Sequence, residues 1–137
     1  MKGINLSYMA GFFDGEGCIC IGKSPHGISL ICSITQCNEW ILQLFKMRFG
    51  GTVRLRQPYK AEKYRTFSWN ISGGKAGIFL GIIKPYLMLK RAEAELAIQF
   101  QMSKGRIGHH LTDNQKAVEE AQRILMQKLK MEGKINA

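Results

Sequence analysis

The sequence lacks any long apolar run, and no stretch approaches the roughly 20 residues that a membrane-spanning helix needs. It also lacks a recognisable secretory signal and any low-complexity segment. We therefore expect an intracellular protein with no membrane partner. Its 137 residues are enough for one hydrophobic core but too few for two, which predicts a single domain over residues 1–137.

Acidic residues are scarce: Asp and Glu total 10 against 20 Lys and Arg, which leaves a formal net charge of +10. An excess of this size favours a polyanionic partner, because lysine and arginine side chains that neutralise phosphates release the counterions condensed around them. The alternative is a basic but otherwise ordinary globular protein.

The chain has four cysteines but no C-x-x-C pair of the kind that binds zinc. Cys18, Cys20, Cys32 and Cys37 follow C-x-C and C-x4-C spacings, and the three histidines lie in unrelated segments. A zinc-dependent module built on these four thiols therefore stays only as an alternative interpretation. We expect reduced, partly buried thiols and no stoichiometric zinc.

Apolar periodicity divides the chain into helices and strands in the order αββαββααα. Two pairs of strands, each with one apolar and one polar face, predict a four-stranded antiparallel sheet with helices on one side. This is an α+β fold. The predicted helices cover 6–14, 39–49, 75–83, 91–104 and 113–130, and the predicted strands cover 18–23, 28–36, 52–57 and 64–71.

The most informative segment is M-A-G-F-F-D-G-E-G, which runs from Met9 to Gly17. Gly11 and Gly15 are four residues apart, so they share one side of a helix, and each costs that helix about 1 kcal/mol relative to alanine. Close approach of another helix is the usual reason for such a stripe. Asp14 and Glu16 bracket the helix end, and carboxylates there in so basic a chain suggest a metal ion facing a phosphate backbone. The alternative is a plain polar turn.

The full string, with Leu6 and Tyr8 leading into it, resembles the motif of the LAGLIDADG homing endonucleases. The resemblance implies an αββαββα domain that lays its antiparallel sheet on DNA, with helices on the other face and extra C-terminal helices. In that family the motif helix packs against a second copy of itself. This sequence has one motif and no repeat of it, so a homodimer is expected. The expected interface consists of Ala10, Gly11, Phe12 and Gly15.

The resemblance also assigns catalytic roles. The last acidic residue of the motif holds the catalytic divalent metal, which here makes Glu16 the ligand of Mg²⁺ (or Mn²⁺ or Ca²⁺), together with the backbone carbonyl of Gly17. Gln36 aligns with a glutamine beside the catalytic water, and Lys90 with a basic residue near the scissile phosphate. Asp14 matches the first acidic position, where a structural role is about as plausible.

One departure from the family concerns the segment after Gln36. Some relatives carry an arginine there, whereas this chain has Glu39 and Trp40. The site is then less cationic at this point, unless Arg91 compensates. The last helix matches nothing in the family pattern; it either buttresses the core or touches DNA through Lys128 and Lys130.

The polar face of the sheet is the expected DNA-binding surface. On the third strand, Val53 and Leu55 are expected to face the core while Arg54 and Arg56 face the major groove, where each base pair shows a distinct hydrogen-bonding pattern. A solvated strand edge guarded by charge is the alternative. Small polar residues expected on the same face are Ser29, Ser33, Thr66, Ser68 and Asn70. Residues expected to reach phosphates are Lys23, Lys60, Lys63 and Arg65.

These expectations combine into a site-specific double-stranded DNA homing endonuclease. As in the family, it would hydrolyse both strands of a long, near-palindromic target and leave short 3′ overhangs. Such proteins are encoded in mobile introns, which points to the cytoplasm of a prokaryote or phage host, or to an organelle. Two alternatives of the same fold are an intron maturase that binds intron RNA and a DNA-binding protein without cleavage.

Overall fold

The computed structural model describes residues 5–56, 64–104 and 111–135, with side chains described through Gly133. The elements confirm the predicted α+β order. The helices are α1 (Leu6–Glu16), α2 (Glu39–Phe49), α3 (Gly73–Ile83), α4 (Arg91–Ser103) and α5 (Asp113–Ile135), with a short 3-10 helix at Lys84–Tyr86. The strands are β1 (Gly17–Ser24), β2 (Gly27–Gln36), β3 (Thr52–Leu55) and β4 (Phe67–Ser72).

The four strands form one antiparallel sheet in the order β1-β2-β4-β3. Its register aligns residues of the same face across all strands: Ile34 pairs with both Gly17 and Trp69, and Trp69 pairs with Val53. Because side chains alternate along a strand, every second residue then belongs to the buried face. The strand residues of the other face, which is called the open face below, are half-buried or exposed.

The helices bury the apolar face of the sheet through a cluster of aromatic rings. Phe79 of α3 lies at its centre, with ring centroids 5.0 Å from Phe13, 4.7 Å from Phe49 and 5.1 Å from Trp69. The Trp69 indole Nε1 donates to the carbonyl of Gly50 at 2.8 Å, which satisfies its only polar group. The motif helix α1 is therefore fixed to the sheet through the side of it that carries Phe13.

Helix α5 packs beside α4 and the β1–β2 hairpin. Its Glu119 is buried and pairs with Lys104 at 3.3 Å, and the Lys104 ammonium also donates to the carbonyl of Ile28. Met126, which lies further along the same side of the helix, is buried as well. The C-terminal helix thus belongs to the packed structure. None of the described helices is long and apolar enough to cross a membrane.

Element boundaries differ from the predictions in a few places. Helix α1 continues to Glu16 rather than ending near residue 14, and α5 continues beyond residue 130. Leu55 was expected to face the core. The register places it on the same face as Val53 and Trp69, but its side chain is 54% exposed rather than buried. It is the last residue of the edge strand β3.

Candidate active site

The end of α1 is tied to the segment before α4 by the carboxylate of Asp14. This buried side chain accepts hydrogen bonds from the backbone N–H groups of Met88 (3.0 Å), Leu89 (2.9 Å) and Lys90 (2.8 Å). Burial alone would raise the pKa of Asp14, but these three N–H groups together outweigh it and hold the pKa below its ordinary value of 3.8. Asp14 therefore has the structural role.

Lys90 completes the same connection from the other side. Its ammonium donates to the backbone carbonyl of Asp14 at 2.7 Å. This contact places a positive charge two residues before Glu16, at the point where the helix ends. The structure therefore brings together two of the predicted catalytic residues, Glu16 and Lys90, which are far apart in the sequence.

Glu16 is the last residue of α1 and is exposed. Among the described residues its carboxylate has no hydrogen-bond or ion-pair partner, so it is available for a ligand. Gly17 follows it and starts β1, and here only glycine fits: a Cβ would lie 2.7 Å from the carbonyl oxygen of Phe13 and closer still to the Phe13 ring. The final glycine of the motif thus allows the chain to turn from helix into strand directly after the carboxylate.

Gln36 lies at the same end of the sheet. It is the last residue of β2, two positions beyond Ile34, and Ile34 is the register partner of Gly17. Its side-chain oxygen accepts the backbone N–H of Cys37 at 3.0 Å. The structure therefore brings the third predicted catalytic residue near the start of β1, with its amide held by a local hydrogen bond.

Arg91 does not supply the positive charge that this chain lacks after Gln36. Its guanidinium donates to the backbone carbonyl of Pro85 at 3.1 Å, so the expected compensation finds no support in this geometry. In α2, Glu39 accepts a hydrogen bond from Gln43 at 3.2 Å, and Trp40 is exposed. The segment after Gln36 thus contributes no positive charge to the site.

One protomer supplies few ligands for a metal. Within residues 5–56, 64–104 and 111–133, no three His, Cys, Asp or Glu side chains come together in a group that could hold an ion. Glu16 offers one carboxylate and Gly17 one carbonyl, which are the oxygen ligands that Mg²⁺ and Ca²⁺ prefer. These two residues fit a divalent cation only if water, a phosphate or a second protomer supplies the rest of the coordination shell.

The cysteines do not form a metal centre. Ile19 pairs with Cys32, so Cys32 lies on the buried face, whereas Cys18 and Cys20 lie on the opposite face and are exposed. Burial raises the pKa of the Cys32 thiol, which disfavours the thiolate that zinc requires. The alternative of a zinc module that uses all four cysteines is therefore wrong.

The open face of the sheet carries most of the residues predicted to bind DNA. Arg54 pairs with Ser68, Ser33 pairs with Asn70, and the Asn70 amide donates to the Ser68 hydroxyl at 3.0 Å. Ser29 lies on this face at the other end of β2. The Arg56 N–H donates to the carbonyl of Thr66 at 2.8 Å, which continues the ladder beyond β3. The Thr66 hydroxyl is buried, however, so the structure does not present it for DNA contact.

The residues predicted to contact phosphates are not all on the open face of the sheet. Lys23 belongs to the other face, in the series of Ile19 and Ile21, and its ammonium pairs with Glu120 of α5 at 3.6 Å. It is engaged within the protein because α5 lies along that side of β1. Arg65 is exposed just before β4. Lys60 and Lys63 lie outside the described residues.

The predicted dimer surface is partly present. Gly11 and Gly15 are exposed, and a Cβ at either position would meet no atom within 4 Å. Phe12 is half-buried, and its ring lies 6.0 Å from that of Phe45. Ala10, however, is fully buried in its own protomer, so its assignment to the interface is wrong. Helical geometry places it on the core side of α1, next to Met9.

Sequence reasoning missed an apolar turn beside these glycines. Met88 is 86% exposed and Leu89 is 78% exposed, although their backbone N–H groups are held by Asp14 at the end of α1. Tyr8, on the exposed side of α1, is similarly accessible. The signal in the sequence is the apolar pair Met88-Leu89. It lies between Leu87, which is buried, and Lys90, which is bound to Asp14, so neither of the two side chains reaches the core.

Several solved structures share this architecture. The archaeal intron-encoded homing endonuclease I-Vdi141I, complexed with DNA, is 18% identical and aligns with a TM-score of 0.74 over 90% of this chain and 82% of its own. I-CvuI, bound to a DNA target with Mg, is 22% identical with a TM-score of 0.66 over 92% of this chain and 80% of its own. The LAGLIDADG meganuclease I-AabMI, bound to uncleaved DNA, is 22% identical with a TM-score of 0.69.

The chain has the LAGLIDADG fold. It aligns over 88% of its length with 44% of I-AabMI, so it corresponds to about half of that protein. The intron-encoded RNA maturase bI4 of Saccharomyces cerevisiae is 36% identical over 58 residues, which are 42% of this chain and 9% of the maturase. No protein-family model matches the sequence. The LAGLIDADG motif helix predicted from residues 9–17 is thus found in the expected fold.

Proposed function

We propose that the chain is a site-specific double-stranded DNA endonuclease that depends on a divalent metal and acts as a homodimer. The observation that carries the proposal is the accessible Glu16 at the end of the motif helix, beside an ammonium that Asp14 holds in place. Similarity to I-Vdi141I, I-CvuI and I-AabMI, each described in complex with DNA, supports a DNA substrate.

Each proposed catalytic residue has a role that its position supports. Glu16 and the Gly17 carbonyl would hold the divalent cation, which would supply polarisation of the scissile phosphate. The Lys90 ammonium stabilises the negative charge that develops on the phosphate and the leaving oxygen. The Gln36 amide, once it releases the N–H of Cys37, orients the attacking water. I-CvuI has been described with its DNA in the presence of Mg, where the DNA was not cleaved, and of Ca, which supports a divalent cation without selecting one.

The open sheet face supplies sequence recognition. Arg54, Ser68 and Asn70 project from neighbouring strands on this face, so their side chains can reach base edges in the major groove. Arg56 and Ser33 extend the same surface. Arg65 remains a candidate phosphate contact, as do Lys60 and Lys63, whereas Lys23 would first have to leave Glu120.

A second copy of the chain completes the site. The bare surface at Gly11 and Gly15 allows another α1 to approach closely, and the exposed Met88 and Leu89 would bury apolar area beside it. The two Glu16 carboxylates would then meet above one duplex, one for each strand. A near-palindromic target follows from this symmetry, and the family resemblance implies that the cuts leave short 3′ overhangs. The enzyme works in whichever compartment holds the DNA that carries its intron.

The experiment is selection of cleaved duplexes from a random target library with Mg²⁺ present, followed by comparison of variants on the selected target. Glu16→Gln should abolish cleavage of both strands while the protein still binds the duplex. Glu95→Gln, which removes an exposed carboxylate of α4, is the matched control and should cleave like the wild type. Equal cleavage by Glu16→Gln and wild type would remove Glu16 from its role.

A second candidate function is maturase activity, which the match to the yeast maturase bI4 favours. Its test is splicing of the host intron RNA with and without the protein at physiological salt. Splicing assistance without DNA cleavage would replace the endonuclease proposal. A DNA-binding protein without catalysis is disfavoured, since such a protein needs no accessible Glu16 beside an anchored lysine.

A further inference from the structure

The C-terminal end of α5 reaches the start of β1. The ammonium of Lys130 lies 3.4 Å from the Sγ atom of Cys18, which directly follows Gly17 in the chain. Cys18 pairs with Ser33, so its side chain belongs to the open face of the sheet. Lys130 is therefore placed next to the segment proposed to hold the metal, at the edge of the sheet where α5 runs along β1.

The position of Lys130 is fixed by the packing of α5. Glu119 pairs with Lys104, Glu120 pairs with Lys23, and Met126 is buried, so the helix is attached to the domain at two successive places. Met126 and Lys130 are four residues apart and share one side of the helix. Lys128 points elsewhere, because it lines a shallow outer pocket with Ile124 and Met131.

The charges around Lys130 leave it available for an anion. Within the described part of the chain no carboxylate lies within ion-pair distance of its ammonium, whereas Lys23, Lys84 and Lys104 each have one. The nearest acidic influence is Glu93 in the first turn of α4: burial raises the pKa of this residue, and the charges of Lys130 and Lys90 oppose that shift. Glu93 thus lies in the field of both ammonium groups.

We infer that Lys130 is a second phosphate-binding cation of the active site, supplied by α5 and acting on the phosphate next to the cleaved bond. This inference rests on the proposed function. The ammonium of Lys130 would supply positive charge that the segment after Gln36 lacks, since that segment carries Glu39 and Trp40. Arg91 does not supply it, because its guanidinium donates to the carbonyl of Pro85. Lys130 also gives the extra C-terminal helix a role in the reaction beyond packing.

The first test is the salt dependence of DNA affinity in a background that cannot cleave. The Glu16→Gln protein and its Lys130→Met derivative are titrated with the selected target duplex over a range of salt concentrations. Each lost phosphate contact reduces the slope of log K against log salt by about 0.9, so a dimer should lose about two. Lys130→Arg should keep the slope, which separates loss of charge from loss of folding.

The matched control is Lys116→Met, which removes an exposed lysine from the first turns of the same helix. It should leave both the slope and the cleavage rate of the otherwise wild-type enzyme unchanged. Lys130→Met in the wild-type background should slow single-turnover cleavage by about ten- to a hundredfold, as expected for loss of one charge-stabilising donor. Thermal unfolding of each variant confirms that the fold is retained.

The outcomes distinguish the two proposals. An unchanged slope and an unchanged cleavage rate in Lys130→Met, with a wild-type enzyme that cuts its target, would refute the role of Lys130 alone. A wild-type protein that neither binds nor cuts any selected duplex would refute the proposed function itself. A reduced slope that Lys130→Arg restores supports the second cation.

Discussion

Asp14 and Lys90 hold each other through both their side chains and their backbones. The Asp14 carboxylate accepts the N–H of Lys90, and the Lys90 ammonium donates to the carbonyl of Asp14. Asp14, the first acidic residue of the motif, therefore has a structural role: it fixes Lys90 at the end of the helix that carries Glu16. If Glu16 holds the metal as proposed, its position relative to Lys90 depends on this reciprocal contact.

Replacing Asp14 with asparagine should destabilise the protein and impair its site. The substitution replaces one carboxylate oxygen and removes the charge, while the three backbone N–H groups that it accepted from remain. The free energy of unfolding should therefore fall by about 2 kcal/mol. Urea unfolding measures this change. Asp113→Asn, at an exposed position, is the control and should stay within about 0.5 kcal/mol of the wild type. Equal stability of both variants would contradict the contact network.

The same carboxylate predicts how stability depends on pH. Because the folded-state pKa of Asp14 lies below 3.8, its contribution is present in full above that value and is lost as the pH falls through the folded pKa. Acid unfolding of the wild type should therefore include a loss of stability in this range that Asp14→Asn lacks. Parallel pH profiles for the two proteins would show that the carboxylate is not stabilised in the fold.

Gly17→Ala should disturb the site from within the core. The new Cβ would collide with the carbonyl and ring of Phe13, and overpacking of this kind costs about 1–3 kcal/mol. Gly74→Ala, where a Cβ meets nothing within 4 Å, is the matched control and should be tolerated. Thermal unfolding and cleavage rates of the two variants provide the comparison. A fully active and stable Gly17→Ala protein would disprove the close approach.

Alanine at Gly11 or Gly15 should have opposite effects on the protomer and the dimer. Neither new Cβ meets its own protomer, so helix propensity should stabilise the monomer by up to about 1 kcal/mol. The same methyl groups would hold a second α1 away and weaken association. Sedimentation measures the dimer and urea unfolding the protomer, with Gly133→Ala in α5 as control. Dimers of unchanged affinity would place the interface elsewhere.

Removal of divalent metal should abolish cleavage but leave the fold intact. The described residues of one protomer contain no cluster that could hold an ion by itself, and the core is built from aromatic and aliphatic side chains. EDTA should therefore leave the melting temperature of the protein without DNA unchanged while stopping the reaction. A large drop in melting temperature would reveal a structural metal instead.

Local patterns were sufficient to predict the elements, because alternation and helix caps depend on neighbouring residues. Asn5 and Asn38 cap α1 and α2 by accepting the N–H groups of Tyr8 and Trp40, and the faces of β1 and β2 follow the alternation of Ile19 and Cys32. Ala10 could also have been excluded from the interface, since the helical period separates it from Gly11 by about 100°.

Long-range placement was not predictable from the same patterns. The pairing of Lys23 with Glu120 and the contact of Lys130 with Cys18 both depend on where α5 lies across β1, and no local signal encodes that. The exposure of Leu55 likewise depends on its strand being at the edge of the sheet. The role of Asp14 required the position of Met88 and Leu89, which only the folded chain supplies.

Because the register assigns Arg54, Ser68 and Asn70 to one face and Val53, Trp69 and Ile71 to the other, exchanges among the first group leave the second untouched. If the protein recognises DNA as proposed, its target preference can therefore change without loss of folding. Retargeting then requires substitutions only in the exposed half of each strand.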